Sequence, residues 1–529
     1  MSSDAVVTVG PADPATDVRQ PTISVDGVLT LILLLAAAHM LWVLWLGLNQ
    51  PLLDQHHFRQ SQTAITVYWI LQGGPWLAYE TPVLGHPWAI PFEFPLYQLT
   101  VAAVAKMGIP LNAAGRLVSV AFLFATLWPL AMLTRDLKLG RTTFLATAIL
   151  FLCAPIHVYW ARTFMIETTA LFFAALWLAA IVRLLVRHDW RWFAVALAAG
   201  TAACLSKSTT FPAFGFVGGV AAAALLARAW WRGAPLLRLI PLAAMVLAAT
   251  LVPLGLGLWW VAYSDRIKEA NLIGRGLTSA SLAGWNWGNW QQRTSAQLWL
   301  ATVRLRALPD ILGFVVLPGL AVLGACLTSW RRLGYTAMAA IAFLLPFLLF
   351  TNLHIVHNYY QVANAIFLVA AIGIAIGAVA EGPTRPIAVV LVAVLATAQL
   401  AFFHRAFAPH VVQDFSNDKM LRIAQLARDA TRPDEAILVI NSDWAATIPY
   451  HAERRGLVLP HWTRQPIVSA LLADPQKAFG PHPLAGVIVC GEVSAAYGAM
   501  QEPLQRLVDG LVPRQSFADC RYLAVPGRT

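Results

Sequence analysis

The composition excludes a soluble globular protein, because 58% of the 529 residues are hydrophobic and only 12% are charged, against about 25% charged in soluble domains. A mean hydropathy of +0.63 indicates several membrane-spanning helices instead. The formal net charge of +11 does not indicate a nucleic-acid partner, since in such a chain the basic residues are explained first by membrane topology.

A polar leader and an apolar segment open the chain. Residues 28–47 are long enough to cross a bilayer and precede no small-residue cleavage pattern, so we predict a permanent anchor. Residues 1–26 lack the charged start of a removable signal peptide, and we expect them in the cytoplasm. Further spans are predicted at residues 117–133, 143–159, 168–185, 193–205, 211–226, 239–261, 311–327, 336–350, 362–379 and 387–403. The sequence thus predicts an α-helical polytopic membrane domain over residues 27–405, with about eleven transmembrane helices.

Residues 94–108 decide the predicted topology. They are apolar but few, and Pro95 stands near their start, so we predict an interfacial helix rather than a span. With that choice the basic connectors all fall on the cytoplasmic side, as the positive-inside rule requires. These connectors are residues 135–141, 187–191, 228–238, 331–332 and 384–385. The polar loops 50–98, 263–309 and 351–361 then share the outer face.

The C-terminal region, residues 406–529, has a different character. It contains no apolar span, and helix-like and strand-like pieces alternate in it, which predicts a small α/β domain outside the cytoplasm. The predicted pieces are a helix over residues 419–430 and strands over 436–440, 486–490 and 521–525. Cys490 and Cys520 fall in this region, and both a disulfide and two buried free thiols stay open for them.

The first loop is dense in side chains that are costly in hydrocarbon, which marks it as a wet loop or a site. These side chains are Asp54, His56, His57, Arg59, His86 and Glu93. A purely structural alternative exists for Asp54, which could cap a helix from about residue 56 to residue 72, stopped by Gly73-Gly74-Pro75.

Three further segments send polar residues to the same predicted face. They contribute Arg162, Glu167, Lys207, His354, His357 and Tyr359. Carboxylates and cations that converge from distant segments suit a reaction with an anionic leaving group, because a carboxylate can take a proton from an incoming hydroxyl while fixed cations stabilise the departing charge. Lys207 could also be a snorkelling boundary charge, but its place opposite the basic connectors favours a functional role.

The mixture of Asp54 with Arg59, Arg162 and Lys207 fits transfer from a phosphate ester better than glycoside hydrolysis, which needs two paired carboxyls. A donor used at the outer face is best carried on a lipid. Asp54-x-His56-His57 and His354-x-x-His357, with Glu167, contain ligand types that suit a divalent metal. Neither spacing matches a closed metal site, so a metal and a purely hydrogen-bonding role both stay open.

The order of these motifs resembles the polyprenyl- or dolichyl-phosphate-sugar-dependent glycosyltransferases of the C-type membrane fold (GT-C), which include protein O-mannosyltransferases and the lipid A aminoarabinose transferase. The resemblance covers about residues 28–403. It rests on Leu53-Asp54-Gln55-His56-His57, Arg162-Thr163-Phe164-Met165-Ile166-Glu167, Ser206-Lys207-Ser208 and His357-Asn358-Tyr359-Tyr360.

The resemblance implies roles for individual residues. Asp54 would be the general base on the acceptor, with Glu167 as the second catalytic acid residue, and the reaction would invert the anomeric carbon. The donor phosphate would be bound by Arg59, Lys207 and His357. From the shared outer face of the segments we add Arg162 and Tyr359 to this phosphate site, with His56, His57, His86, Glu93 and His354 elsewhere in the pocket. Two positions depart from the pattern: Glu167 stands where relatives usually carry Asp, and Gly85-His86-Pro87-Trp88 replaces the Lys-Pro-Pro of the aminoarabinose transferases.

The predicted function is therefore transfer of a sugar from a polyprenyl-phosphate donor to a glycan, glycolipid or protein of the cell envelope, at the outer face of a bacterial cytoplasmic membrane. A transporter or flippase of a lipid-linked or anionic substrate is the alternative. Transporters hold ionisable groups near the bilayer midplane, whereas the predicted spans here are almost free of charge.

Overall fold

A computed structural model describes residues 24–381 and 384–525. The predicted leader, residues 1–26, lies outside the described residues except for its last three. Helices α1 to α10 are Val25–Gly47, His57–Leu71, Leu96–Ala105, Leu111–Ala125, Leu127–Asp136, Arg141–Cys153, Pro155–Trp160, Glu167–Arg187, Arg191–Ser206 and Phe211–Trp231. Helices α11 to α19 are Leu236–Glu269, Ala283–Trp287, Trp290–Arg293, Leu308–Leu312, Val316–Ala321, Trp330–Leu349, Thr351–Val356, Val362–Val379 and Arg385–Ala406, and a π-helix, Gln297–Ala307, precedes α14.

The described part of the chain contains eight helices that are long and apolar enough to cross a membrane. They are Val25–Gly47, Leu111–Asp136, Glu167–Arg187, Phe211–Trp231, Leu236–Glu269, Trp330–Leu349, Asn358–Val379 and Arg385–Ala406. The predicted spans at residues 143–159 and 193–205 are represented by the shorter apolar helices Arg141–Cys153 and Arg191–Ser206. The protein is thus a polytopic helical membrane protein, and Leu96–Ala105 is too short to be a span.

The predicted span over residues 311–327 is bent rather than one continuous helix. The chain there forms two helical pieces, Gln297–Leu312 and Val316–Thr328, which meet at an angle of 82° and could together make a ninth span. Gly313 stands at the bend with a positive φ of 69°, and a Cβ atom there would lie 2.3 Å from the carbonyl oxygen of Ala398 on α19. Only glycine fits this close backbone approach, which the apolar composition of the segment does not reveal.

Helices α8 and α18 run through the centre of the bundle. In the most apolar 18-residue stretch of Glu167–Arg187, and likewise of Asn358–Val379, 78% of the residues are buried. The corresponding share is 50% or less in the other full-length spans. Glycine permits this packing, because Cβ atoms at Gly200 and Gly218 would stand 2.7 and 2.5 Å from the ring of Trp177 on α8. The first residues of these two spans, Glu167 and Asn358, lie at the same end of the bundle. The candidate site lies at this end.

A small α/β domain follows the membrane part. Its helices α20 to α23 are Lys419–Ala430, Thr447–Ala452, Gln465–Ala473 and Gln501–Asp509, and its strands β1 to β5 are Ala436–Ile440, Arg455–Val458, Leu484–Cys490, Val512–Phe517 and Cys520–Ala524. The sheet order is β2-β1-β3-β5-β4; β1 is parallel to both neighbours, and β5 is antiparallel to both of its own. The predicted helix and three strands are confirmed, whereas β2 and β4 were not predicted, because β2 is short and most of β4 is polar and exposed.

The two cysteines that the sequence left open form a disulfide. Cys490 ends β3 and lies opposite Cys520 at the start of β5, and the two sulfurs are bonded. The other cysteines, Cys153, Cys204 and Cys326, are free and buried, as expected of small core side chains.

The first loop reaches over to this domain and covers the free edge of its sheet. The backbone N–H groups of Gly456 and Val458 in β2 donate to the carbonyl oxygens of Pro82 and Val83, at 3.0 and 2.8 Å. Leu84 forms an antiparallel bridge with Leu457. The sheet edge is therefore paired rather than exposed, and the domain is attached directly to the loop that contains Asp54.

Candidate functional site

Asp54 lies buried between α1 and α2 with a hydrogen bond to each carboxylate oxygen. Oδ2 accepts from Nη2 of Arg162 at 2.8 Å, and Oδ1 accepts from Nε2 of Gln60 at 2.5 Å. The alternative in which Asp54 caps α2 is therefore wrong, because the residue at the cap position is His56, with a left-handed backbone and no side-chain cap. Two of the roughly four lone-pair positions of the carboxylate stay available to a proton donor.

Arg162 lies on the turn between α7 and α8, fully inside the protein. Its guanidinium packs 4.6 Å from the ring centre of Tyr159 and donates a second hydrogen bond from Nη2 to the carbonyl of His410, at 3.3 Å. Its Nε and Nη1 are buried and have no hydrogen-bond partner among the described residues. A buried cation with unused donors is suited to binding an additional anionic group.

A second buried arginine, Arg116 of α4, supports the loop that contains Asp54. Its Nη1 donates to the carbonyls of Gly47, Leu48 and Gln50 at 2.7, 3.0 and 2.7 Å, which fixes the chain just before Asp54. Sequence reasoning missed this residue, although a lone arginine at the edge of an apolar span is a signal in itself.

Arg116→Gln is expected to lower the free energy of unfolding by about 3 kcal/mol, because a hydrogen bond from a charged donor contributes about 1.5–3 kcal/mol and three carbonyls lose this charged donor. Thermal unfolding in detergent measures the change, with the exposed Arg228→Gln as the matched control. Equal melting temperatures for the two variants would show that Arg116 does not fix the loop.

Lys207 and Glu167 form a second buried pair. Nζ of Lys207 donates to Oε1 of Glu167 at 2.5 Å, and the ammonium lies 3.8 Å from the ring centre of Tyr360 and 5.3 Å from that of Tyr359. Glu167 stands in the first turn of α8 and Lys207 directly follows α9, so each charge has the sign that the helix dipole favours. Oε2 of Glu167 is buried without a partner among the described residues.

Aromatic and imidazole rings join the two pairs. The ring of His56, two residues after Asp54, lies 4.9 Å from Tyr359, 5.4 Å from His357 and 5.5 Å from Trp160. Tyr359 in turn packs under Lys207. Asp54 and Lys207 are therefore joined through His56 and Tyr359 into one cluster.

The two histidines of this cluster are neutral at pH 7. Burial lowers the pKa of His56, although a hydrogen bond with Asn358 opposes the shift. Burial and the nearby charges of Lys207 and Arg59 lower the pKa of His357 to about 3. Any contact of His357 with a phosphate is thus a neutral N–H hydrogen bond, not the ionic contact that a charged imidazole would make.

Arg59 and Glu93 form a third ion pair in the first loop. Nη2 of Arg59 donates to Oε1 of Glu93, and Nη1 donates to Gln62 at 2.7 Å. The side chains are 15% and 24% exposed, so this pair borders the cluster rather than its buried centre. The charge of Arg59 contributes to lowering the pKa of Lys207, after the larger effect of burial.

Two of the predicted pocket histidines, His57 and His86, contact the C-terminal domain, and His354 lies beside Tyr360 of the cluster. Nδ1 of His57 lies 2.9 Å from Oγ1 of Thr447, in the C-terminal domain. His86 packs against Gly480 and donates its backbone N–H to Ala478 at 2.8 Å, so its contacts are with the C-terminal domain rather than with Asp54 or Lys207. His354 lines a cavity of about 10 Å³, large enough for about one water, together with Tyr360.

His354 makes the stability of the protein pH-dependent. Burial, with the charges of Lys207 and Arg306, lowers its pKa to about 3 in the folded protein, against 6.5 for an ordinary histidine. Below about pH 6.5 the unfolded chain binds a proton that the folded protein excludes, so the free energy of unfolding falls by about 1.4 kcal/mol per pH unit from this residue. Above pH 6.5 its contribution is complete.

His354→Gln is accordingly expected to flatten the loss of melting temperature between about pH 6.5 and about pH 4.5. Thermal unfolding of the variant and the wild type across this range measures the difference. Parallel curves for the two proteins would contradict the assignment.

The divalent metal that the sequence left open has no ready set of ligands among the described residues. Among residues 24–381 and 384–525, no three side chains of His, Cys, Asp or Glu are grouped as a metal site requires. The carboxylates of Asp54 and Glu167 are instead each paired with a cation.

No protein-family model and no curated protein matches this sequence. Solved structures do match the fold. ArnT from Cupriavidus metallidurans, bound to undecaprenyl phosphate, aligns over 94% of this chain and 99% of its own, with 14% identity and a TM-score of 0.60. The archaeal oligosaccharyltransferase AglB from Archaeoglobus fulgidus, with an inhibitory peptide and a dolichol-phosphate, aligns over 92% and 72%, with 11% identity and a TM-score of 0.55.

The mycobacterial arabinofuranosyltransferase AftD aligns over 94% of this chain and 40% of its own, with 14% identity and a TM-score of 0.50. All three are membrane glycosyltransferases of the C-type fold. The predicted resemblance is confirmed at the level of fold: this chain has the GT-C architecture, with a small C-terminal domain attached.

Proposed function

We propose that this protein is an inverting glycosyltransferase that moves a sugar from a polyprenyl-phosphate donor to a hydroxyl of a cell-envelope acceptor. One observation carries the proposal. The buried carboxylate of Asp54, which is hydrogen-bonded to Arg162, belongs to the same ring-linked cluster as the Lys207–Glu167 pair. The fold supports it, since the similar ArnT and AglB structures contain undecaprenyl phosphate and a dolichol-phosphate.

The charges of the cluster suit an anionic donor. The cluster and its border contain four cations, Arg59, Arg116, Arg162 and Lys207. They also contain three carboxylates, Asp54, Glu93 and Glu167, so one positive charge is in excess. The unused donors of Arg162 and Arg116 lie in this buried region. A phosphate group brought next to them would satisfy these donors, in surroundings of low dielectric where charge pairing is strong.

The reaction follows from these groups. The acceptor hydroxyl gives its proton to the Asp54 carboxylate, and its oxygen attacks the anomeric carbon on the face opposite the phosphate. The bond between the anomeric carbon and the phosphate oxygen breaks, and its electron pair leaves with the polyprenyl phosphate. Arg162 and Lys207 stabilise the charge that develops on this leaving group, with neutral N–H or O–H contacts from His357 and Tyr359. A single displacement of this kind inverts the anomeric carbon.

The proposed orientation places the cluster and the C-terminal domain outside the cytoplasm of a bacterial cell. The Cys490–Cys520 disulfide supports it, because disulfides persist in oxidising compartments. The acceptor would approach beside the C-terminal domain, where Trp444 packs 4.9 Å from Phe58 and 5.6 Å from Phe92 of the first loop. The transfer assay below identifies whether this acceptor is a glycan, a glycolipid or a protein.

The test is a transfer assay with the purified full-length protein in lipid nanodiscs. Synthetic polyprenyl-phosphate sugars are offered with cell-envelope extract, and mass spectrometry identifies the acceptor that gains a sugar. A covalent product that depends on Asp54 supports the proposal. Movement of the labelled lipid across proteoliposomes, without any covalent product from any donor offered, would favour the transporter alternative and overturn it.

A further inference from the structure

The end of the bundle opposite the candidate site contains a second cavity, lined by both basic and apolar residues. The span Leu111–Asp136 starts beside the Asp54 loop, where Arg116 holds the carbonyl of Gly47, and ends at the other side of the bundle. There, between α5 and α6, lies a cavity of about 500 Å³, within the range of small-molecule pockets. Its lining includes Ala131, Thr134, Arg135, Lys138, Arg141 and Phe144.

The three cations of this cavity are not neutralised by the protein. Arg135, Lys138 and Arg141 are exposed, and none has an ion pair or a side-chain hydrogen bond among the described residues. The nearest acid in the sequence, Asp136, is already engaged, because it accepts from Nε of Arg183 at 2.6 Å and lies 3.5 Å from Arg187. Three unpaired positive charges around one cavity repel each other until an anion binds between them.

The backbone adds to the positive potential. Helix α6 is 13 residues long and begins at Arg141, and the preceding Gly140, which also lines the cavity, has no side chain to cap it. The free N–H groups of the first turn and the positive end of the helix dipole thus lie at residues that line the cavity, and Asp26 lies beside them, where its Oδ1 accepts from Oγ1 of Thr142 at 2.9 Å.

We propose that this cavity binds the phosphate headgroup of an anionic phospholipid. A lipid is favoured over free phosphate because the volume exceeds the need of a single phosphate ion and because Phe144 and Ala131 give the cavity an apolar wall. Trp128, 53% exposed, stands seven residues before Arg135 on α5 and so on the same helix face, where acyl chains would pass. The site is separate from the proposed transfer reaction and does not depend on it.

The experiment measures lipid retained by the purified full-length protein, using native mass spectrometry with phosphatidylglycerol, phosphatidylcholine and inorganic phosphate. The wild type is expected to retain phosphatidylglycerol selectively. Removing one cation is expected to weaken binding about fivefold, and the triple variant R135Q/K138Q/R141Q on the order of 100-fold, since each basic residue near an anionic lipid contributes about that factor.

The triple variant R228Q/R232Q/R238Q is the matched control, because it removes the same charge from another exposed connector outside the cavity. It is expected to retain phosphatidylglycerol as the wild type does. The proposal is overturned if the control loses as much lipid as the cavity variant, if the cavity variant binds like the wild type, or if inorganic phosphate displaces the lipid at equal concentration. If the triple cavity variant does not fold, lipid binding is measured on the single variant K138Q instead. Binding about fivefold weaker than that of the wild type supports the proposal, and unchanged binding overturns it.

Discussion

Replacing Asp54 by asparagine is expected to lower the transfer rate by a factor of about 10²–10⁴, the usual contribution of a positioned general base. Asparagine keeps the shape of the side chain and can still accept from Arg162 through its one oxygen, although its amide nitrogen then faces the donor Nε2 of Gln60. It cannot take the proton of the acceptor hydroxyl. The rate of sugar transfer from a polyprenyl-phosphate donor, measured in nanodiscs at saturating donor, checks the expectation. Transfer at the wild-type rate by a folded variant would refute the base assignment.

Loss of the ion pair must be separated from loss of the base, since Arg162 is left buried without a counter-charge in the variant. A variant that lacks only the base loses kcat and keeps the KM for the donor, whereas a displaced Arg162 would raise the donor KM. Glu80→Gln is the matched control, because it removes an ion pair of the same loop, with Arg455 at 2.8 Å. This control is expected to transfer sugar at the wild-type rate.

Lys207→Met is expected to abolish measurable transfer and to lower the free energy of unfolding by about 3–5 kcal/mol, because Glu167 would be buried as an unpaired charge. The methionine fills the space of the lysine stem but brings no charge to the donor phosphate. Thermal unfolding and the transfer assay are measured on the same preparation.

A double variant distinguishes the two effects. Lys207→Met combined with Glu167→Gln removes both charges, so most of the lost stability should return, to within about 1 kcal/mol of the wild type. Transfer should stay absent, because the cation that stabilises the leaving group is still missing. A double variant that transfers sugar normally would show that the Lys207–Glu167 pair has only a structural role.

The sequence was sufficient for the membrane class and for most helix positions, because apolar length is a local property of the chain. The helix Lys419–Ala430 and the buried strand Ala436–Ile440 were also predictable from local periodicity. The bend at Gly313 was not, since it depends on how closely the backbone of Ala398 on another helix approaches.

For the candidate site, too, the sequence determined one part and the tertiary structure another. The sequence by itself determined that Asp54, Arg162, Glu167 and Lys207 are polar residues at the ends of apolar segments, where an unpaired charge is expensive and therefore conspicuous. Only the tertiary structure decided their partners: Asp54 pairs with Arg162, 108 residues away, instead of capping α2, and Arg116 holds the chain just before Asp54. The physical reason is that helix propensity and hydropathy act over a few residues, whereas the partner of a buried charge is fixed by which helix ends the packing of the bundle brings together.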